Sequence, residues 1–377
     1  MKSDVRVLHI VSGDLWAGAE AQSYTLIARL HRIPGTVVGA VVLNPGELSE
    51  KLQALGIHVE VFDETRLNAF RIALRLRRLI RDWKPDVIHT HRDKENILGG
   101  IANWLTRRVP SVRTVHGAEE HPTTTGRRAT RRRVVLGIDR WIQRASGQTI
   151  VAVSTELGEK LAERMPEQRI VVIENGVDVE GLRAQSGSND SGLAKPDATR
   201  IGIVGRLVKV KRVDLFLGMA KRLLTEEPTR TWRFEVFGEG PERERLMTLC
   251  DRLEVGRFVT FHGHRSDLAT WMCGLDVIVI CSDHEGMPMV ALEAAALDVP
   301  TVAHAVGGLI DVVPKELQVA RHDAKGYSEA VLRALRGETR EAVARHAKGV
   351  LERFSADRNA EQTLALYREL MILRAES

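Results

Sequence analysis

Residues 5–43 read VRVLHIVSGDLWAGAEAQSYTLIARLHRIPGTVVGAVVL, two β-branched apolar runs on either side of a stretch with helical spacing. Short apolar strands that alternate with helices are typical of βαβ units, in which the strands are parallel. The alternation continues with VEVF, VIHTH, SVRTVH, TIVAVS and IVVIEN, at 59–62, 87–91, 111–116, 149–154 and 170–175. The sequence therefore predicts an α/β domain on a doubly wound parallel sheet.

A second alternation begins at residue 200 with RIGIVG, and RFEVFG, VTFHG, VIVIC and PTVAH follow with helical segments between them. Between the two alternations, GLRAQSGSNDSGLAKPDAT at 181–199 replaces the periodic pattern with Gly, Ser, Asn, Asp and Pro, as a linker or exposed loop does. A chain of 377 residues also exceeds the usual size of one hydrophobic core. We predict an N-terminal domain over 1–180, a linker over 181–199 and a C-terminal domain over 200–354.

The composition is that of a globular protein, with 44% hydrophobic, 28% charged and 5% aromatic residues. The N-terminal residues MKSDVRVLHIVSGD run into a strand pattern and lack the apolar core and cleavage site of a signal peptide. No window approaches the roughly eighteen consecutive apolar residues that a spanning helix needs. Cys250, Cys273 and Cys281 have neither disulfide-framework nor metal-ligand spacing. We expect a cytoplasmic protein.

The element at 282–300, SDHEGMPMVALEAAALDVP, carries the clearest sign of a ligand site. Glu285 lies in the loop after the strand VIVIC, and Glu293 falls in a helix whose neighbouring residues are apolar, which predicts a buried carboxylate. Burying a carboxylate is costly unless hydrogen-bond donors surround it. Two alternatives would satisfy Glu293: a pair of sugar hydroxyls such as those of a ribose, or a basic side chain or amide of the protein. The amides near Met289 and Val290, at the positive end of the helix dipole, form a site for a phosphate.

The stretch VGRLVKVKR at 204–212 places two cations at a strand-to-helix turn. Arg206 and Lys211 stand at the carboxyl end of the strand, where open α/β sheets bind ligands. They form either a diphosphate site or a surface ion-pair network. Departure of a nucleoside diphosphate builds negative charge that a metal or fixed cations must neutralise. Because no clustered DxD-type carboxylate pair stands beside these residues, the sequence predicts a site with no metal and no cofactor.

The first domain contributes two further candidates. Gly18 lies in the loop after the first strand and permits close approach of the backbone to a ligand, although a tight turn alone would also explain it. His116 ends the strand SVRTVH, at the carboxyl edge of the sheet, where we predict a substrate contact. His89 and His91 are interpreted as core or edge residues.

GEGPERERL at 238–246 contains GxG after a strand but lacks the third glycine of a dinucleotide fingerprint. This argues against an NAD site. Gly238 instead suits a turn close to the ligand whose diphosphate Arg206 and Lys211 would hold.

Taken together, these motifs resemble those of glycosyltransferase family 4, the retaining enzymes with the GT-B fold. The matching features cover nearly the whole chain, and their combination is highly specific. They are AGAE (17–20), VHG (115–117), VSTELGEKL (153–161), ENGVD (174–178), VGRLVKVKR (204–212), FGEGPERERL (237–246), SDHEGMPMVALEAAA (282–296) and FSADRNAEQTLALY (354–367). The sequence departs from the family pattern where Asp298, Asp311 and Ala17 replace the more usual Gly, Glu and first glycine.

The resemblance implies a role for each candidate. Arg206 and Lys211 would hold the donor diphosphate, and Glu293 would hold the ribose. Glu285 would contact the transferred sugar, and His116 would reach the reacting sugar from the opposite domain. The implied donor-binding set also contains Gly18, Gly238, Gly286, Met287, Met289 and Val290.

The resemblance also implies the architecture and the chemistry. The fold would be GT-B, with two Rossmann-like doubly wound domains facing a central cleft and a final helix, 355–377, that returns to the first domain. The donor would be a UDP- or GDP-linked sugar, and the acceptor a glycan or lipid-linked molecule of cell-surface polysaccharide or glycolipid biosynthesis. Transfer would retain the anomeric configuration through a front-face mechanism, in which the departing phosphate helps to deprotonate the acceptor.

The net charge of +5 comes largely from arginine clusters at 66–81 and 126–146. The second, GRRATRRRVVLGIDRWIQRAS, has apolar residues on one helical face, at Val134, Ile138, Trp141 and Ala145. Such clusters are either solvated helix faces or surfaces that bind anionic lipid. We predict peripheral association of 126–146 with the inner face of the cell membrane, and no nucleic-acid partner.

Two other functions remain open at this point. One is a GT-B-fold sugar-nucleotide epimerase, which would share the donor site but need no acceptor. The other is a non-catalytic membrane- or glycan-binding protein that keeps a nucleotide pocket.

Overall fold

The structure is a computed structural model that describes residues 4–13, 16–117, 137, 139, 141–144, 146–187 and 198–376, without the side chains of residues 338 and 340. The chain divides into two compact units. Unit 1 contains Met1–Gly176 and Ala356–Ser377, and unit 2 contains Val177–Ser355. The division lies close to the boundaries at 180 and 355 that the sequence predicted.

Unit 1 is built on a parallel sheet of seven strands in the order β3-β2-β1-β4-β5-β6-β7. Apolar β-branched residues fill these strands because helices cover both faces of such a sheet. The strands are β1 (Val5–Val11), β2 (Thr36–Val42), β3 (His58–Val61), β4 (Val87–Thr90), β5 (Ser111–Val115), β6 (Thr149–Ala152) and β7 (Ile170–Val172).

The helices of unit 1 follow the strands in alternation. In chain order they are α1 (Gly18–Arg32), α2 (Glu47–Ala54), α3 (Ala69–Trp83), α4 (Asp93–Trp104) and α5 (Thr155–Arg164). Asn68 and Ser154 cap α3 and α5 by accepting hydrogen bonds from the backbone amides of Arg71 and Leu157.

Unit 2 repeats the same strand order with six parallel strands, β10-β9-β8-β11-β12-β13. They are β8 (Thr199–Val204), β9 (Trp232–Phe237), β10 (Val259–Gly263), β11 (Val277–Ile280), β12 (Thr301–His304) and β13 (Gln318–Val319). The helices are α6 (Val179–Ser186), α7 (Val213–Glu226), α8 (Arg243–Arg252), α9 (Leu268–Cys273), α10 (Met289–Ala296), α11 (Leu309–Val312), α12 (Ala324–Ala334) and α13 (Gly337–Arg353).

The last helix, α14 (Ala356–Glu376), belongs to unit 1, and it begins one residue after the predicted start at 355. Its apolar face, which includes Leu364 and Tyr367, joins the core beneath β1 and α1. Asn359 ties the helix further, because its amide donates to the Glu174 carbonyl at 2.6 Å and its oxygen accepts from Gln22 at 3.2 Å. A segment at the end of the chain thus completes the core of the first unit.

The linker predicted at 181–199 is wrong over its first residues. Residues up to Ser186 form α6, whose start Asp178 caps by accepting from the Gly181 amide. Arg183 then fixes the helix by donating to the Ala296 carbonyl at 2.8 Å. Capping and packing therefore outweigh the loop-like composition of this stretch, and the remaining part of the prediction, 188–197, lies outside the described residues.

The predicted membrane-binding segment 126–146 lies mostly outside the described residues. Trp141, which is described, is 57% exposed. Within the described part of the chain, no helix has the length and apolar character needed to cross a membrane.

Candidate active site

In unit 2 the strand order reverses between β8 and β11, whose carboxyl ends lie side by side. Open α/β sheets bind ligands in the crevice at such a point. The crevice here is a cavity of about 390 Å³, including its solvent-open part. Its lining includes Gly205, Arg206, Lys211, Ser282, Glu285 and Val290. Topology thus brings together residues more than 70 positions apart in sequence.

Glu285 is the centre of the polar contacts in this cavity. Lys211 Nζ and Ser282 Oγ both donate to its Oε1, each at 2.6 Å. The Glu285 side chain is only 10% exposed and that of Lys211 is 25% exposed, so this ion pair is shielded from bulk water. The other oxygen, Oε2, accepts no hydrogen bond from any described residue, which leaves it available to a hydroxyl group of a ligand.

The turn that carries Arg206 is shaped by two glycines. Gly205 has φ +147°, and Gly238 has φ +126°. A Cβ atom on Gly238 would lie 2.0 Å from the carbonyl oxygen of Gly205, so only glycine allows the two turns to touch. The Leu207 amide donates to the Glu239 carbonyl at 2.9 Å and completes the contact. Gly238 therefore has a clear packing role beside the cavity, and its contact with a donor stays a prediction.

Helix α10 begins beside the cavity, and its predicted ligand residues differ in exposure. Val290 lines the cavity, whereas the side chains of Met287 and Met289 are 3% and 5% exposed and are buried. The Gly286 carbonyl accepts from the Gly308 amide at 2.7 Å. Donor contacts of Gly286, Met287 and Met289 are therefore restricted to backbone groups that these interactions leave open.

Glu293 lies one turn after Val290, on the face of α10 that is only partly buried. The apolar neighbours of Glu293 in the sequence predict a fully buried carboxylate, whereas this face of the helix is partly exposed. Burial nevertheless raises the pKa of Glu293 to about 7. Within the described residues, no basic side chain or amide donates to the Glu293 carboxyl group, so the alternative of an internal partner finds no support. Glu293 keeps unused hydrogen-bonding capacity next to the cavity wall.

A second polar network holds the loop that carries Ser282 and Glu285. His304 Nδ1 donates to the Ser282 carbonyl at 3.0 Å. Asp283 accepts from Arg212 at 3.1 Å and bonds to His322 Nε2 at 2.9 Å. The rings of His304 and His322 stack with centroids 3.9 Å apart. Sequence reasoning missed His304 and His322 because they lie 22 and 39 positions after the loop residues that they contact, without a recognisable spacing.

Unit 1 has its own reversal point, between β1 and β4, and four histidines meet there. His9 and His89 are partners in register on the two strands, and His91 and His116 follow β4 and β5. His91 bonds through Nε2 to His9 Nδ1 at 3.1 Å and through Nδ1 to His116 Nε2 at 3.2 Å. His89 and His91 are 1% and 3% exposed, so the core interpretation of both is confirmed. Their connection to His116 was not foreseen.

These imidazoles are neutral. Burial lowers the pKa of His9 and His116 to about 3, and it holds the pKa of His89 and His91 well below the ordinary value. Gly18, the other candidate in unit 1, is exposed at the first position of α1.

Comparison with known proteins decides the family. Residues 16–180 match the family model described as Glycosyltransferase Family 4, and residues 198–337 match that of glycosyl transferases group 1. D-inositol 3-phosphate glycosyltransferase from Saccharomonospora viridis is 31% identical over 310 residues, which cover 76% of this chain and 70% of the relative. The chain belongs to glycosyltransferase family 4. Glycogen synthase from Mycobacterium tuberculosis is 28% identical to this family 4 enzyme over 76% of the chain and 69% of the relative.

Solved structures share the fold of this glycosyltransferase. The crystal structure of HepE from Anabaena in complex with UDP and glucose has a TM-score of 0.78 at 19% identity, covering 96% of this chain and 99% of that one. Sucrose-phosphate synthase from Thermosynechococcus elongatus has a TM-score of 0.73 at 20% identity, covering 99% and 100%. The predicted GT-B fold with two Rossmann-like α/β domains is confirmed.

The predicted site residues of the glycosyltransferase fall into two groups. Unit 2 brings Arg206, Lys211 and Glu285 to one cavity, with Glu293 one helical turn beyond Val290. Gly18 and His116 belong to unit 1. The chemical role of each residue stays a prediction.

Proposed function

We propose that this glycosyltransferase is a retaining, metal-independent enzyme that moves a sugar from a nucleoside-diphosphate sugar to a glycan or lipid-linked acceptor in cell-surface polysaccharide or glycolipid biosynthesis. One observation carries the proposal: Arg206, Lys211 and Glu285 surround a single cavity at the carboxyl ends of β8 and β11. Cations there suit a diphosphate, and the shielded carboxylate that pairs with Lys211 suits the hydroxyls of a sugar.

Arg206 and Lys211 would stabilise the leaving group, which is the main chemical requirement of the reaction. Breaking the bond between the sugar and the diphosphate places negative charge on the leaving oxygen. Lys211 is held at a fixed position by Glu285, and Arg206 extends from the neighbouring turn. The amides at the start of α10, next to Val290, add the positive end of a helix dipole. Together these groups supply the charge that a divalent ion supplies in other enzymes.

The two carboxylates suit different parts of the donor. Glu285 Oε1 is occupied by Lys211 and Ser282, so Oε2 would accept a hydroxyl hydrogen of the transferred sugar. Glu293 has a raised pKa and no partner among the described residues, which suits a carboxylate whose donors arrive with the ligand. A ribose offers two adjacent hydroxyls for this purpose.

His116 is proposed to contact the reacting sugar, and retention is proposed to follow a front-face path in which the departing phosphate accepts the acceptor proton. The neutral state of His116 fits a hydrogen-bonding role better than that of an acid that carries charge at pH 7. Determination of the product's anomeric configuration by NMR tests retention directly. An inverted product would exclude this mechanism.

The donor is proposed to be a UDP- or GDP-linked sugar. The Anabaena structure that shares the fold contains UDP and glucose, which favours uracil as the base of the donor. Titration calorimetry with UDP, GDP and ADP, each with and without EDTA, tests the base and the metal independence together. Binding of none of the three would reject the donor site.

One pair of experiments separates the transferase from the epimerase and the binding protein that the sequence alone left open. An epimerase converts the donor sugar in the absence of any acceptor, so products formed from donor alone identify it. In a transferase, Glu285→Gln keeps donor affinity within a few-fold and loses transfer. A wild-type protein that binds donor and transfers to no acceptor would favour the binding protein.

Contact with an anionic membrane is proposed for two arginine-rich regions, the sequence segment 126–146 and the helix α3. On α3, Phe70 and Leu74 are 71% and 45% exposed, next to a row of exposed arginines. This combination suits the interfacial region of a bilayer, where each arginine contributes about 1 kcal/mol near anionic lipid. The arginines with exposed side chains are Arg71, Arg75, Arg77, Arg78 and Arg81.

Sedimentation with phosphatidylglycerol and phosphatidylcholine vesicles tests the two regions separately. One variant replaces Arg71, Arg75 and Arg77 with Ser, and the other replaces Arg127, Arg128, Arg131, Arg132 and Arg133 with Ser. Each is expected to reduce binding to the anionic vesicles only. Wild-type sedimentation of both variants would remove the proposal.

A further inference from the structure

Three histidines of unit 1 form a hydrogen-bonded chain that runs from His116 through His91 to His9. Both ends of this chain are open: His116 Nδ1 and His9 Nε2 are buried and have no partner among the described residues. A neutral imidazole has one N–H donor and one bare nitrogen. The N–H groups of the three imidazoles can therefore donate either from His9 towards His116 or from His116 towards His9. This direction decides whether His116 Nδ1 is a donor or an acceptor.

Ser23 sets the direction. Its hydroxyl lies 2.8 Å from the Ala19 carbonyl, one turn earlier in α1, and 3.1 Å from His91 Nδ1. The single hydroxyl hydrogen is donated to the carbonyl, which has no hydrogen of its own, so Ser23 Oγ accepts at His91. His91 Nδ1 therefore carries the hydrogen.

The opposite direction, in which His91 Nδ1 carries no hydrogen, is excluded by the number of hydrogen bonds that this atom can accept. His91 Nδ1 faces two neighbours, Ser23 Oγ and His116 Nε2. A bare nitrogen has one lone pair and would have to accept from both. An N–H group shared between two acceptors is common, and the two similar distances of 3.1 and 3.2 Å fit it.

The state of His91 then fixes both neighbours. His91 Nε2 is bare, so His9 Nδ1 donates to it and His9 Nε2 is bare. His116 Nε2 accepts from His91 Nδ1–H, so the hydrogen of His116 is on Nδ1. That Nδ1–H is buried and unsatisfied within the described residues, which is costly unless a ligand oxygen accepts from it.

We propose that Ser23, His91 and His9 are positioning residues that hold His116 as its Nδ1–H tautomer, so that His116 acts as a hydrogen-bond donor to an oxygen of the bound substrate and not as a base. The inference rests on the proposed substrate contact of His116. A donor that no described residue satisfies makes the site specific for an acceptor oxygen, because a ligand group that also carries only a donor would leave two hydrogens facing each other.

The same cluster has a competing explanation as a cation site. Ring nitrogens of His9, His89 and His91 lie within 4.8 Å of one another. However, both nitrogens of His89 already bond to hydroxyls, Nδ1 to Tyr367 at 2.5 Å and Nε2 to Thr114 at 2.7 Å. A cation would also have to break the bond between His9 and His91. The hydrogen-bond pattern therefore favours the tautomer chain, meaning the hydrogen-bonded series from His9 through His91 to His116, over a cation site.

Nitrogen NMR of ring-labelled histidine measures the tautomer without any substrate. The protein has 13 histidines, so a His116→Asn variant assigns the signals of His116. The wild-type protein is expected to show His116 protonated on Nδ1, with no shift change on addition of one equivalent of Zn²⁺. A spectrum with the hydrogen on Nε2 overturns the proposal.

Ser23→Ala removes the group that sets the direction, and we expect a second His116 tautomer to appear. The matched control is Thr25→Ala, since Thr25 Oγ1 donates to the Ala21 carbonyl at 2.9 Å in the same helix and bonds to no histidine. Equal spectra of the two variants would contradict the role of Ser23.

Two replacements of His91 distinguish the role of its Nδ1 from that of its Nε2. The amide nitrogen of His91→Asn reaches the place of Nδ1 and should keep His116 in the Nδ1–H form, whereas the longer His91→Gln reaches the place of Nε2 and should release it. Kinetics should follow the spectra. We expect kcat/KM to fall by about twofold in Ser23→Ala, as when two tautomers of the free protein become equally populated and only one of them binds productively.

The outcomes distinguish a failure of the proposed His116 tautomer from a failure of the proposed function. If His116 has the expected tautomer and the protein transfers no sugar from any donor, the proposed function fails and the tautomer chain stands. If transfer occurs and Ser23→Ala alters neither the tautomer nor kcat/KM relative to Thr25→Ala, the role of Ser23, His91 and His9 fails and the proposed function stands.

Discussion

The two units have the same strand order and carry a polar cluster at the same reversal point, but the clusters differ in charge. In unit 2 the cluster is ionic, with Lys211 and Arg212 paired to Glu285 and Asp283. In unit 1 it consists of neutral imidazoles. The comparison teaches that topology provides a place for a ligand, whereas the side chains decide which chemistry occurs there.

The largest expected effect comes from removing the charge of the unit 2 cluster. Lys211→Met should lower kcat by about 100- to 1000-fold, the usual loss when one group that stabilises developing negative charge is removed. The control is Lys209→Met, which changes an exposed lysine in the same turn. Comparable losses in both variants would mean that Lys211 has no special position relative to the leaving group.

Glu293→Gln should stabilise the protein while it weakens donor binding. Burial raises the pKa of Glu293 from 4.5 to about 7, so the folded state binds more protons than the unfolded state between these values, and stability falls as pH rises through this range. The neutral amide avoids this loss, which we put at about 2 kcal/mol after allowance for partial exposure. Urea unfolding at about pH 8 measures the gain. A less stable variant would contradict the assigned cause.

A smaller expected effect is the pH dependence of UDP affinity, which should depend on Glu293 in unit 2 and not on His116 in unit 1. Glu293 must be ionised to accept two hydroxyl hydrogens, so affinity for UDP should rise about tenfold between about pH 6 and pH 8 beyond what the phosphate's own titration gives. Glu293→Gln should lose this rise. His116→Asn should keep it, because the pKa of His116 is lowered to about 3 and its imidazole is neutral throughout. Calorimetry at both pH values decides between the two residues.

The smallest expected effect is that of chelation. If Arg206 and Lys211 alone balance the leaving diphosphate, 5 to 10 equivalents of EDTA should change the transfer rate by less than about twofold. A rate restored only by Mg²⁺ or Mn²⁺ after dialysis would show that the ionic cluster of unit 2 is insufficient.

Residues at strand ends were the part of the site that could be predicted. His116 follows β5 directly, and Arg206 and Glu285 lie two and five residues after the ends of β8 and β11. Parallel strands bring such positions to one edge of a sheet. Local sequence reveals their place without any knowledge of distant partners.

Partners that meet only through packing could not be predicted. His304 and His322 support the Ser282 loop from separate segments, and no spacing links them. Likewise, Ser23 lies in a helix and His91 after a strand, and only the hydrogen bond between them reveals a role. The helix at 179–186 was missed because its cap and its tertiary contact with Ala296 lie beyond what composition describes.

The return of α14 to unit 1 has a consequence for synthesis on the ribosome. Tyr367 bonds to His89 and packs in the core of unit 1, yet it is made after every residue of unit 2. Unit 2 therefore has its complete sequence available first, although it begins later in the chain. Until the last helix emerges, the N-terminal unit has an open apolar face next to the histidines, so cellular surveillance of nascent chains would act mainly on that half.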